Sequence, residues 1–275
     1  MFSLFTAIVC SAAIALIFKY TEGQRLNRYV VTTMNYATAT LVSLALGGSG
    51  QFQNLNAWVL WIGIPAGIFF FLSFVWYQIS VNRYGAGLSG MFGKLGILMP
   101  MLLSLIIWQE WPSGLQTLGI LLALLAIVMV QSGNIQKGER VKAGLLLLFL
   151  FGGLAEFSNK LFQQFGGAEA KAGFLMVVFA TAGLLSLIMA IRKAEAWSSR
   201  DLMAGVAVGI PNLFSSWFLI QALVTVPTAV AFPVYSAGSM ALIILLGRLI
   251  YKEVLSRRAG LALVFTCLAL VLLNL

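Results

Sequence analysis

The chain has 275 residues, of which 61% are hydrophobic and only 9% charged, and its 17 Lys and Arg against 8 Asp and Glu give a net charge of +9. A soluble domain carries roughly 25% charged residues, so this composition excludes a soluble globular enzyme. A mean hydropathy of +0.98 also excludes intrinsic disorder, which needs low hydrophobicity, and leaves a protein that crosses a membrane many times.

Ten apolar runs follow one another at 2–18, 28–46, 57–80, 86–108, 114–132, 142–162, 172–191, 202–222, 228–250 and 258–274. A spanning helix needs about 20 apolar residues, so the runs predict ten transmembrane helices and leave no room for a soluble domain. They are too long and too continuously apolar for barrel strands. No Lys or Arg precedes the first run, which therefore reads as a retained helix rather than a signal peptide. Cys10 and Cys267 both lie inside apolar runs, which argues against a disulfide framework. The absence of histidine removes His-dependent triads, histidine zinc ligands and histidine proton relays. No cofactor and no metal is expected.

The cations orient the chain. Loops after odd-numbered spans hold Lys19, Arg25, Arg28, Arg83, Lys137, Arg140, Lys142, Arg192, Lys193, Arg200, Arg248, Lys252, Arg257 and Arg258. The opposite loops hold Lys171, while Lys94 and Lys160 fall within spans. The positive-inside rule places the rich loops in the cytoplasm and both termini outside. Loop placement also accounts for the basic balance without nucleic acid as a partner.

Short echoes recur at nearly constant spacing. Gly63-Ile64-Pro65 returns as Gly209-Ile210-Pro211, Gln78 as Gln221, Trp108-Gln109-Glu110 as Tyr251-Lys252-Glu253, and Phe18-Lys19 as Asn159-Lys160. The chain therefore reads as two five-helix repeats, 1–135 and 136–275. Because five is odd, the second copy is inverted relative to the first, as the charge pattern also requires. Inverted repeats place a site near the midplane.

Ten helices in two such repeats resemble the EamA-like branch of the drug/metabolite transporter (DMT) superfamily. The residues that carry the resemblance are Glu110 with Gly119 and Glu253 with Gly260, a span-ending Glu followed by a Gly in the next helix, together with Pro100 and Pro233. The resemblance covers nearly the whole chain. It implies an inner-membrane secondary transporter of small metabolites, working by export or exchange. It also implies a cavity lined by the first four helices of each repeat, with the fifth and tenth helices packing and supporting dimers. Monomer and homodimer both stay open, as does coupling to a proton or counter-substrate.

Among candidate residues, Lys94 stands out, because a lysine at mid-span costs about 2.5–3.5 kcal/mol on insertion scales and defaults to a functional site. It would hold a carboxylate or phosphate, or else pair internally. Glu156 and Lys160 share one helix face at i, i+4 and read either as a local ion pair or as a proton-coupling or amine-binding acid. Lys94 and Glu156 could hold the two ends of a zwitterion or neutralise each other. Asn159 adjoins Lys160. Asn35, Tyr36, Trp76, Tyr77, Asn212, Trp217 and Tyr235 are candidate cavity-lining residues, against interfacial belts and interhelical hydrogen bonds. Pro65 and Pro211, at matching places, suggest hinges or tolerated prolines in equal measure. Gly85-Ala86-Gly87-Leu88-Ser89-Gly90 fits a dinucleotide fingerprint only by letter, since no strand precedes it.

These features predict a secondary active transporter that moves a small polar metabolite, an amino acid or similar carboxylated compound, by alternating access. The alternatives are an exchanger of phosphorylated or nucleotide-sugar metabolites and, behind it, a multidrug or amine exporter. A channel or an intramembrane enzyme stands outside transport, but few acids and no Asp within any span leave an enzyme without recognisable machinery.

Overall fold

The computed structural model describes residues 1–48, 55–84, 86–132, 143–193, 196–251 and 257–273. The 135/136 repeat boundary, Glu253 and the loop cations Lys137, Arg140, Lys142 and Lys252 lie outside them, as do Gly85 and most side chains of the Gly85–Gly90 segment. The described chain is helical: α1 (Phe2–Gly23), α2 (Arg28–Gly47), α3 (Ala57–Tyr84), α4 (Ala86–Leu95), α5 (Leu98–Trp108), α6 (Gly114–Ser132), α7 (Ala143–Phe165), α8 (Lys171–Arg192), α9 (Ser199–Ala222), α10 (Thr228–Tyr251) and α11 (Arg257–Leu273), with one 3₁₀ turn at Ala168–Ala170. Seven helices are long and apolar enough to cross a membrane, and shorter apolar stretches occupy Phe92–Trp108, Gly114–Met129 and Gly260–Leu273. Large apolar side chains such as Phe2, Trp61, Ile106 and Leu249 are more than two-thirds exposed, a surface suited to lipid rather than water.

The run 86–108, read above as one span, is broken. Gly96 N–H still donates to the Phe92 carbonyl at 3.2 Å, but Gly96 O accepts from Met99 N at 3.0 Å. Pro100 is the cause: its nitrogen carries no hydrogen for the Gly96 carbonyl, and its ring crowds that oxygen. The helix stops at Leu95 and restarts at Leu98. Pro65, Pro211 and Pro233 sit inside continuous helices.

The chain forms two compact units whose boundaries fall inside α3 and α7. One comprises 2–71 and 158–221, the other 72–157 and 222–275 with Met1. Each therefore takes pieces from both halves of the sequence.

In the first unit one contact occurs twice. A Cβ on Gly67 would lie 2.5 Å from Val178 O and 2.6 Å from Thr181 Cβ, and a Cβ on Gly209 would lie 2.6 Å from Asn35 O and 2.6 Å from Thr38 Cβ. One turn away, Gly63 faces Val177 and Phe174, and Gly205 faces Met34 and Val31. The glycines correspond at an offset of 142 and their partners at 143. Each pair is a Gly-x-x-x-Gly stripe that lets backbones approach closely. In this register Pro65 aligns with Ala207 and Pro211 with Phe69, so the two prolines stand one turn apart rather than at matching places.

The pairing of α2 with α8 follows the same offset. Ser43 Oγ donates to Ala172 O at 2.7 Å, while Ser186, 143 residues after Ser43, meets Thr33 Oγ1 at 3.0 Å near the other end. Tyr36 and Phe179, also 143 apart, stack on each other with centroids 6.2 Å apart. As the α2 number rises the α8 partner falls, so the helices run antiparallel. A self-complementary contact of this kind is what a two-fold relation produces.

Helix ends are capped by short polar side chains. Asn27 Oδ1 accepts from Tyr29 N and Val30 N at the start of α2. Ser198 and Asp201 form a reciprocal box at α9, and Asp201 Oδ1 also accepts from Asn27 N at 2.9 Å, tying the two helix starts together. In the second unit Gln109 ends α5 at φ 56, and the next residue, Glu110, accepts from Thr228 N at 2.8 Å. The motif glutamate thus caps the buried N-terminus of α10. Every residue of α10 from Thr228 to Met240 is buried, as expected of a helix that is apolar on all sides.

Candidate functional site

Lys94 is the penultimate residue of α4, next to the break. It is only partly buried. Its Nζ donates to Ser239 Oγ of α10 at 3.4 Å, and Ser239 Oγ donates in turn to Ser236 O at 3.0 Å. Glu156 of α7 acts on Lys94 electrostatically. Two glycines explain how the acid arrives. A Cβ on Gly96 would lie 3.1 Å from Gly153 N, and one on Gly153 would lie 2.7 Å from Gly96 O. The break therefore rests directly on α7 at Gly153, and Glu156, three residues on, shares that face.

The same unit holds unused polar capacity. Ser236 Oγ is buried with no hydrogen-bond partner among the described residues, as are Gln78 Nε2, Ser80 Oγ, Ser104 Oγ and Thr228 Oγ1 of the same unit. Ser236 and Ser239 lie three apart, on one face of α10. A Cβ on Gly93, adjacent to Lys94, would meet nothing within 4 Å. A cation, two hydroxyls, a nearby carboxylate and open space can together receive an anion, because a lysine ammonium offers three donors and hydroxyls both donate and accept.

The predicted residues divide between the units. Lys94, Glu156, Trp76, Tyr77 and Tyr235 belong to one; Asn35, Tyr36, Asn159, Lys160, Asn212 and Trp217 belong to the other. Within the former, Tyr235 is buried, Trp76 half-buried and Tyr77 40% exposed. Within the latter, Asn212 Nδ2 donates to Asn35 Oδ1 at 3.0 Å, and Tyr36 Oη donates to Phe70 O at 3.4 Å. Those groups satisfy one another and read as interhelical fastening. Asn159 and Lys160 are both buried on the last turns of α7.

Lys171 was expected as a loop cation and is instead buried. Its Nζ donates to Gln221 Oε1 at 2.7 Å and sits 4.1 Å from the Trp217 ring centroid. Trp217 therefore carries a cation–π contact. The sequence signal was there: Lys171 is alone on the side poor in cations. Ser236 and Ser239 gave a weaker one, since isolated serines abound in membrane helices.

A cavity of about 540 Å³ between the ends of α1 and α9 contains none of these residues.

Residues 1–132 match the model of the EamA-like transporter family. An uncharacterised protein of Haemophilus influenzae is 24% identical over 288 aligned positions, covering 98% of this chain and 96% of its own length. A solved crystal structure superposes with a TM-score of 0.77 at 18% identity, covering 98% of this chain and 94% of that one, and so shares the fold.

Proposed function

We propose that this chain, whose residues 1–132 match the EamA-like transporter family model and whose helices include seven long and apolar enough to cross a membrane, is a multi-pass membrane transporter of the drug/metabolite type and a secondary carrier of a small carboxylated metabolite. Lys94 holds the carboxylate. Ser236 and Ser239 share it, and Glu156 balances Lys94 when the site is empty and receives an amine or a proton when it is filled. An amino acid satisfies both charges. The observation that carries this reading is Lys94 at a helix break with Glu156 beside it: a charge at membrane depth is retained where it does work, and broken helices build midplane sites in carriers. The adjacent acid disfavours phosphorylated and nucleotide-sugar substrates, which bring two or more negative charges.

Two inverted five-helix repeats rocking about this site expose it alternately, with the cation-rich loops in the cytoplasm, in a bacterial inner membrane. The duplicated Gly-x-x-x-Gly contact and the antiparallel α2–α8 pair support that reading. Counterflow in proteoliposomes tests it. Vesicles preloaded with an unlabelled amino acid should accumulate the labelled form transiently and saturably, and Lys94→Ala should abolish accumulation. Linear, unsaturable flux would point to a channel and contradict the proposal.

A further inference from the structure

The cavity between α1 and α9 is graded along its depth. Tyr20, Gln24, Leu26 and Arg200 stand at its helix-end mouth, and Ile17, Met203, Ala204 and Ala207 continue inward. Arg200 is the second residue of α9 and Ala207 lies seven residues further, about 10 Å deeper at 1.5 Å per residue. Ile17 lies nearly one turn deeper than Tyr20. Ala204 and Ala207, three apart, carve the groove by their small size. Met203 is 73% exposed, so the groove opens sideways toward the surroundings of the helices.

Among the described residues no carboxylate pairs with Arg200. The neighbouring Asp201 is engaged by Ser198 and Asn27, and Glu22 pairs with Arg28 at 3.0 Å. Lys19, Arg25 and Arg28 are close in sequence to the mouth, on the side that collects nearly all loop cations. A tyrosine, an amide and a guanidinium above an apolar floor match an anionic headgroup above a hydrocarbon chain. The volume falls within the usual range of roughly 300–1,000 Å³ for ligand pockets; it takes a headgroup and the start of one chain.

We propose that this cavity binds an anionic phospholipid, with its phosphodiester held by Arg200 and Gln24 and one acyl chain laid along Ile17, Met203, Ala204 and Ala207. The site is separate from Lys94 and does not depend on the transported substrate. It is tested by thermal unfolding of the purified full chain in mild detergent with added phosphatidylglycerol, phosphatidylcholine or soluble glycerol 3-phosphate. A ligand of the folded form raises its apparent stability. Phosphatidylglycerol should raise Tm by at least about 2 °C more than phosphatidylcholine, and glycerol 3-phosphate should leave it unchanged. Arg200→Gln should erase the difference between lipids. Ala204→Leu, which fills the groove without touching the charge, should erase it too while the lipid-free Tm holds; it decides the matter if Arg200→Gln fails to fold. Equal stabilisation by both lipids, or a difference that survives both substitutions, overturns the proposal. Full stabilisation by glycerol 3-phosphate alone also overturns it, in favour of a soluble anion site.

Discussion

The α2–α8 contact and the Lys94–Ser239 contact between α4 and α10 differ when residues 143 apart are compared. In the first, Ser43 and Ser186 lie 143 apart and each hydrogen-bonds the facing helix, and Tyr36 stacks on Phe179, also 143 away. In the second, the same offset sets Lys94 against Ala237, Gly96 against Ser239, Gly93 against Ser236 and Pro100 against Ile243. In the α2–α8 region Asn35, Tyr36, Ser43 and Ser186 are hydrogen-bonded, while Thr32 Oγ1 is a buried orphan. The unit holding α4 and α10 has a helix break and most of the orphaned buried side-chain atoms among the described residues, against Thr32 and Gln163 in the other. Buried polar groups left without partners are expensive in an apolar medium. The α2–α8 contact thus pairs like with like at this offset, and the surroundings of Lys94 do not.

The largest effect expected is structural. Gly209→Val places a branched side chain where even a Cβ would sit 2.6 Å from Asn35 O. Overpacking of this kind costs about 3 kcal/mol, which lowers Tm by roughly 6–10 °C. Gly93→Ala, with nothing within 4 Å, should leave Tm within about 2 °C. Equal losses at the two glycines would erase the contrast between a closed and an open region, and thermal unfolding in detergent decides it.

Lys94→Ala comes next. Transport should fall at least tenfold, about 1.4 kcal/mol of lost transition-state or substrate binding. It also removes a cation on which Glu156 acts, so stability should drop, whereas the double substitution Lys94→Met with Glu156→Gln should recover stability and not transport. Recovery of both activities in the double variant would mean that the pair is only structural.

Smaller effects sharpen the account of the caps and fastenings. Glu110→Ala removes the acceptor at the start of α10 and should cost about 1 kcal/mol, while Glu110→Gln, which keeps a carbonyl acceptor, should cost less than half of that. Asn212→Ala removes the bond to Asn35 and should cost about 0.6 kcal/mol, the average for such bonds in membranes, with counterflow unchanged. A large transport loss at Asn212 would move the site toward the symmetric region.

Much of the helical plan was legible because about 20 apolar residues between polar breaks leave little choice of structure. Lys94 was legible for the same reason, as a charge where none is tolerated idly. The break beside it was not, although its cause is written in the sequence: Pro100 stands four residues after Gly96, the spacing at which a missing N–H deserts a carbonyl. Hydropathy is blind to that, since glycine and proline do not interrupt an apolar run. The identical letters Gly63-Ile64-Pro65 and Gly209-Ile210-Pro211 lie 146 apart, whereas the contacts match Gly63 with Gly205 and Gly67 with Gly209. Identical letters one turn out of register outweighed the small-residue stripe that packing uses. Lys171 was misplaced because its burial depends on Trp217 and Gln221, fifty residues away, and no local pattern announces a tertiary partner.

The most direct test is ligand-dependent thermal stability of the purified chain across amino acids, amines, sugars and phosphorylated metabolites, measured in parallel for Lys94→Ala. A carboxylated metabolite, foremost an amino acid, should raise Tm in the native chain and do nothing for the variant. The same rise in Lys94→Ala would contradict the account and reduce Lys94 to a structural charge.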